Sequence, residues 1–282
     1  MNYMIFKNTI ISGLLIFCVG CFENSDHKPT YLVADKAVAD SGIAMKPDTA
    51  KNRQLLNMIS NPQGLNNFRR LLTVKDSGLT LLNVLHIGDS HLKSGYYSQP
   101  FMEKLNAHFS KYGKGSVFFN FQWFCKIGTK YSDYNDLAEL DAQLISSKPN
   151  LVIISLGTND AFSGSSSVNF YAKVDHLVQK IKMLSPASSI LITTPPDALK
   201  LNKQTGTYLA LPELQNVVNT IIRYCNDKGI AYWDLHQVMG GNYSINNWIL
   251  QKLAAPDRVH FTARGYGVFA QWFYEAFTRC IN

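Results

Sequence analysis

Five short apolar runs separated by amphipathic stretches constrain this chain more than any other feature. The runs are Leu81–Ile87, Val117–Phe124, Leu151–Leu156, Ile190–Thr194 and Ile230–Trp233. Helical patterning fills 97–111, 136–147, 168–184 and 212–228, and a last helix follows Gly265. A strand that is apolar on both faces must be covered on both faces, so strands alternating with helices predict a parallel sheet between two helical layers. The expected fold is an α/β three-layer α/β/α sandwich with a five-stranded parallel sheet. Residues 51–72 carry Leu55, Leu56, Met58, Ile59, Phe68, Leu71 and Leu72 and read as a helix interrupted at Pro62 and Gly64. With 46% hydrophobic and 17% charged residues the chain can bury enough surface to offset its ordering entropy, which excludes intrinsic disorder. No fixed-period repeat points to a solenoid or propeller.

The N-terminus has a different character. Lys7 is the sole charge in the first 22 residues and precedes an apolar run over 10–20. That run is too short for a transmembrane helix of roughly 20 residues but suits a signal-peptide core. It ends in Cys18-Val19-Gly20-Cys21, which resembles a bacterial lipoprotein cleavage site with Cys21 as the lipidated residue, although Cys18 stands where a leucine is usual. The expected division is a signal peptide at 1–20, a polar tether at 21–50 and one domain at 51–282, anchored outside the cytoplasm through lipid alone; ordinary secretion and a retained anchor are the competing readings. Loss of Lys7 lowers the net charge of +7 by one, to +6. The basic residues are scattered rather than clustered, which argues against a nucleic-acid partner. Cys125, Cys225 and Cys280 are dispersed with no C-x-x-C pair, a poor zinc set and a poor disulfide framework; buried thiols are favoured over a single bridge.

In open parallel sheets ligands bind at the carboxyl ends of the strands, so the residues just after each run matter most. After the first run comes Gly88-Asp89-Ser90-His91. A serine at a sharp strand-to-helix turn can present its hydroxyl above the sheet, but Asp and Ser also serve as ordinary helix caps. After the second come Ile127, Gly128 and Thr129, where glycine can be a simple turn residue. After the third come Gly157-Thr158-Asn159-Asp160. Asn159 there is either a turn residue or a neutral N–H donor suited to an oxyanion. Before the final helix, Asp257 and His260 stand three residues apart, close enough for a carboxylate to orient an imidazole. Jointly the four clusters supply a nucleophile, a base, an orienting acid and oxyanion donors.

In these four blocks, in order over about residues 80–280, the chain resembles the SGNH hydrolases, or GDSL-like esterases. The resemblance implies a flavodoxin-like sandwich, with Ser90 as nucleophile, His260 as base and Asp257 as orienting acid. It further implies an oxyanion hole from the N–H groups of Ser90 and Gly128 and the side chain of Asn159, with no metal and no cofactor. Gly113 and Gly115 compete with Gly128, which is preferred because it directly follows the second strand. His91 replaces the usual leucine after the serine, which resembles the branch acting on O-acetylated glycans, including peptidoglycan O-acetylesterases. His91, Asp160 and Trp248 are candidates for the substrate cleft, Trp248 together with Met239-Gly240-Gly241; a core tryptophan is the competing reading.

The function that follows is an extracytoplasmic serine esterase, a monomer, removing acetyl or other short acyl groups from polysaccharide or peptidoglycan. Three alternatives stand beside it. An O-acetyltransferase would use the same serine acyl-enzyme with a sugar hydroxyl as acceptor. A non-catalytic glycan-binding lipoprotein would not require a base set against a serine. A two-metal phosphoesterase could use Asp89, His91, Asn159, Asp160 and His260 as ligands, but lacks the closely spaced histidine pair such sites carry.

Overall fold

The computed structural model describes residues 54–73, 79–111, 116–164 and 167–281. The segments expected to be a signal peptide and a tether, Cys21 among them, lie outside the described residues, as do Gly113 and Gly115.

The elements alternate as the apolar runs predict. Strand β1 is Ile59–Ser60, followed by helix α1 (Asn66–Thr73), β2 (Leu79–Gly88) and α2 (Ser98–Lys111). Next come β3 (Ser116–Cys125), α3 (Ala138–Ser147), β4 (Leu151–Ser155), α4 (Thr158–Phe162), α5 (Ser167–Leu184) and β5 (Ser189–Thr193). A hairpin of β6 (Leu199–Leu201) and β7 (Tyr208–Ala210) leads to α6 (Pro212–Lys228) and β8 (Ala231–Trp233). Two short helices, α7 (Leu235–Val238) and α8 (Ser244–Leu250), precede the long α9 (Ala263–Ile281).

The main sheet has the order β1-β8-β5-β4-β2-β3, all parallel except β1, which pairs antiparallel with β8. Its five parallel strands follow the flavodoxin-like order, whose direction of winding reverses between β2 and β4. Every residue of β4 up to Ile154 and all of β5 is buried, as central strands of a covered sheet must be.

Alternation along the strands feeds two cores. Leu82, Val84, Leu151, Ile153, Leu191 and Trp233 face one layer, formed mainly by α1, α2 and α9. Leu85, Ile87, Val152, Ile154, Ile190 and Ile192 face the other, against α3, α5 and α6. In the first layer, Phe269, Phe273 and Phe277 recur every fourth residue of α9 and so share one face of the helix. Phe273 stacks on Phe101 at 4.6 Å between centroids and leans on Trp233 at 5.0 Å. Truncating such a buried phenylalanine to alanine costs roughly 3–5 kcal/mol.

The N-terminal region departs from expectation. Instead of an interrupted helix, residues Ile59–Ser60 form the antiparallel edge strand, a 3₁₀ turn spans Pro62–Leu65, and the helix starts only at Asn66. Asn61 sets the break: it adopts a left-handed φ of 52° and its side-chain amide donates to the carbonyls of Cys225 and Ile230. The β6–β7 hairpin and helices α4, α7 and α8 were also not anticipated. No disulfide joins the three cysteines in the described residues, and Cys125 and Cys225 are buried. No helix among the described residues is long and apolar enough to cross a membrane.

Candidate active site

Three of the four sequence clusters converge at the reversal between β2 and β4, and the fourth is brought over them by the segment before α9. Ser90 follows β2 by two residues. Contrary to expectation, it does not start a helix: residues 89–97 form consecutive turns, and α2 begins only at Ser98. His91 and Leu92 turn inward and are buried, and Gly95 takes a left-handed φ of 74°, so the chain cannot enter the helix directly. No helix N-terminus therefore begins at Ser90.

The Ser90 hydroxyl lies 3.0 Å from His260 Nε2. Nδ1 of the same ring is 2.7 Å from Asp257 Oδ2. Asp257 Oδ1 accepts from the N–H groups of Val259 (2.9 Å) and His260 (3.0 Å). A carboxylate on Nδ1 fixes the proton there and leaves Nε2 as an acceptor for the serine hydroxyl. Burial disfavours the charged Asp257 carboxylate, but the His260 side chain and the two backbone N–H donors outweigh it and push its pKa down to about 2. The hydrogen bond to Asp257 raises the His260 pKa against the opposing effect of burial. Both side chains remain open to solvent, at 41% and 50% exposure.

The turn that carries them is strained. Arg258, between the acid and the base, takes a left-handed φ of 59°. It is held by Asn246, whose side-chain oxygen accepts from its guanidinium, by the Tyr208 ring 4.4 Å beneath that group, and by Leu199, whose N–H donates to its carbonyl at 2.9 Å. Sequence reasoning missed these supports, and an isolated Arg, Tyr and Asn so far apart in the chain carry no local signal.

Asn159 ties the first two clusters together. Its side-chain amide donates to Thr129 O at 3.0 Å and to Asp89 Oδ2 at 3.2 Å. It is delivered by Gly157, whose φ of 122° excludes other residues and whose missing Cβ would meet Val217 at 3.0 Å. Gly128 has φ 74° and open space where a Cβ would stand. Among the described residues no hydrogen bond occupies the N–H of Ser90 or of Gly128. Asp89 also accepts from the His91 N–H at 3.0 Å, and burial pushes its pKa up to about 7. This Asp89–Asn159 bond was not foreseen; the Gly-Asp-Ser pattern gave only the competing possibility of a cap.

The three candidate cleft residues are placed otherwise. His91 is 7% exposed, with Nδ1 against Tyr266 Oη at 2.9 Å, and burial lowers its pKa to about 3. Asp160 is fully buried, accepts from the Tyr131 N–H at 3.2 Å and braces the 3₁₀ turn at Tyr131–Tyr134. Trp248 belongs to the core, packed on Phe261, Phe269 and Trp272 with its indole N–H donating to Met239 O at 3.1 Å. All three are buried: His91 lines a small cavity with Thr158 and Tyr266, Asp160 keeps Oδ1 without a hydrogen-bond partner among the described residues, and Trp248 packs in the core. Among the described residues, no group of three metal-ligating side chains converges.

This fold and this arrangement define a class of α/β hydrolytic enzyme, and the comparisons identify the family. The GDSL-like lipase/acylhydrolase model matches residues 86–268, so the chain belongs to that family and is a carboxylic ester hydrolase. The match spans Ser90, Gly128, Asn159, Asp257 and His260. No curated protein sequence matches. Among solved structures, a peptidoglycan O-acetylesterase is similar at TM-score 0.62 with 16% identity, over 81% of this chain and 95% of that one. An acetyl xylan esterase is similar at 0.54 with 19% identity, over 69% and 99%. The esterase EstA from Pseudoalteromonas sp. is similar at 0.51 with 14% identity, over 70% and 97%. At such identities these likenesses concern the fold.

Proposed function

We propose that this protein is an exported serine esterase that removes acetyl groups from O-acetylated glycans. The observation that carries the reading is the continuous chain from the Ser90 hydroxyl through His260 to Asp257, at 3.0 and 2.7 Å. His260 Nε2 takes the hydroxyl proton as Ser90 Oγ attacks the ester carbonyl, and Asp257 stabilises the imidazolium that forms. The oxyanion is met by the N–H groups of Ser90 and Gly128 and by the amide of Asn159. His260 then protonates the departing sugar oxygen. Water, activated by the same nitrogen, releases acetate from Ser90. The solvent exposure of His260 and Asp257 favours water over a sugar hydroxyl as acceptor, and so hydrolysis over transfer.

The short acyl group is supported by the printed names of two structural neighbours, a peptidoglycan O-acetylesterase and an acetyl xylan esterase. The glycan is supported by the names of the structural neighbours and by export. Export in turn rests on the N-terminal apolar run, with Cys21 as the lipid-bearing residue of an anchored lipoprotein. The test is acetate release by the protein from a small acetyl ester, O-acetylated peptidoglycan and acetyl xylan, beside Ser90→Ala. Release from a glycan that disappears in Ser90→Ala supports the reading. Transfer of acetyl to added glycan, or no release from any ester, overturns it.

A further inference from the structure

A second feature lies beside this site. Between the β6–β7 hairpin and the segment 161–164 that follows Asn159 runs an open groove of about 500 Å³. That volume is within the range of small-ligand sites, roughly 300–1,000 Å³. Its lining includes Ser163, Lys200, Leu201, Asn202, Leu209 and Glu213.

Both walls are joined to the elements that carry the reacting groups. One wall begins at Ala161, two residues beyond the oxyanion donor Asn159 on the same short helix. The other is the hairpin, which contacts the Asp257–His260 turn twice, Leu199 N–H to Arg258 O at 2.9 Å and Tyr208 under the Arg258 guanidinium at 4.4 Å, and the residue before it once, Tyr208 Oη to Pro256 O at 3.4 Å. The groove therefore borders the elements that carry Asn159 and the Asp257–His260 turn, while none of the reacting residues lines it.

The lining decides what that chain is. Leu201 and Leu209 are 44% and 49% exposed, an unusual concentration of open apolar surface on so short a hairpin. A long acyl chain would want continuous apolar walls, yet Lys200 and Glu213 interrupt them with charge, and Ser163 and Asn202 with hydrogen-bonding groups. One cation and one anion leave the groove with no net charge, so it has no electrostatic preference for a polyanion. Alternating apolar patches and hydrogen-bonding groups fit sugar rings, which present C–H faces and hydroxyl rims. We propose that this groove is a subsite for the neutral glycan residues flanking the acetylated sugar. The inference rests on the esterase reading for its place in catalysis, while the binding itself is independent of it.

The experiment has two arms. In the first, xylohexaose, chitohexaose and, as a charged control, a polygalacturonate hexamer are titrated into the protein and followed by calorimetry. One neutral oligosaccharide should bind, the polyanion should not, and Leu201→Asp or Lys200→Ala should weaken binding about tenfold. Absence of binding by both neutral oligosaccharides, or binding indifferent to both substitutions, overturns the subsite. In the second arm, kcat/KM for the acetylated polymer is divided by kcat/KM for a small acetyl ester. Leu201→Asp should lower that ratio about tenfold, chiefly through KM for the polymer. An unaltered ratio overturns the subsite while leaving the esterase standing. Loss of small-ester hydrolysis in the wild-type protein would instead indict the esterase reading, and the binding arm would still judge the groove.

Discussion

Two imidazoles sit with their rings 5.3 Å apart, and they behave in opposite ways. His260 is part of an open, strained turn, paired with a carboxylate that raises its pKa. His91 is part of a buried layer beneath that turn, where desolvation lowers its pKa to about 3 and Tyr266 and Thr158 take its nitrogens. The acids divide the same way. Asp257, on the open turn, is held down near 2, while burial pushes Asp89, in the layer below, up to about 7. Residue type does not distinguish these pairs. Burial and partner do, and they separate an exposed region able to move a proton from a buried region that holds the donors in place.

The sharpest way to break this comparison is to truncate both histidines. His260→Ala should lower kcat by on the order of 10⁴–10⁶. His91→Ala should act mainly on stability, lowering the thermal midpoint by the cost of a buried cavity and two lost hydrogen bonds while most of the turnover survives. Equal losses of activity in both would erase the distinction. Next in size is Asp257→Asn, which should cost about 10³–10⁴ in kcat by disturbing the imidazole tautomer. In the wild type, kcat/KM should fall as pH drops through the raised His260 pKa, because protonated His260 cannot accept the serine proton. Asp257→Asn should move that limb to lower pH, as the carboxylate that favours imidazolium is gone.

A smaller effect separates a donor from its support. Asn159→Ala should lower kcat by about 10²–10³ with little change in KM, as expected for a group that acts on the oxyanion. Asp89→Asn sets an amide against the Asn159 amide and should cost less, about tenfold, through misplacement alone. A larger loss in Asp89→Asn than in Asn159→Ala would put Asp89 in direct contact with the reaction.

The least of the effects is on stability. Burial also pushes Asp197 up to about 7. Its folded pKa exceeds the unfolded value, so the unfolded chain loses its proton first and stability falls as pH rises from about 4 to about 7. Asp197→Asn should flatten that part of the melting profile, with the variant gaining on the wild type at pH 8 relative to pH 4.

The parallel strands, their helices and the four polar clusters were legible because each rests on a local pattern: a run such as Leu151–Ser155, an amphipathic stretch such as Pro212–Lys228, or a short motif. What was missed depends on distant partners. Ile59–Ser60 is too short to show a strand period and is extended only because β8 offers it an edge. The hairpin over 199–210 has strands of only three residues each, too short for the Leu199-Lys200-Leu201 alternation to stand out as a strand period. Trp248 gave no sign of which way it faces until Phe261, Phe269 and Trp272 were brought around it. Likewise the Asp89–Asn159 bond spans 70 residues, and neither partner announces the other.

The central claim is that Ser90 carries the acyl group, and trapping it tests this most directly. The protein should be mixed with an activated acetyl ester, quenched in acid within milliseconds, and its peptides read by mass spectrometry. The account predicts acetyl on the Ser90 peptide, absent from Ser90→Ala and accumulating when water is depleted. Ester turnover with no acetyl on Ser90, or with the acetyl on another residue, would contradict it.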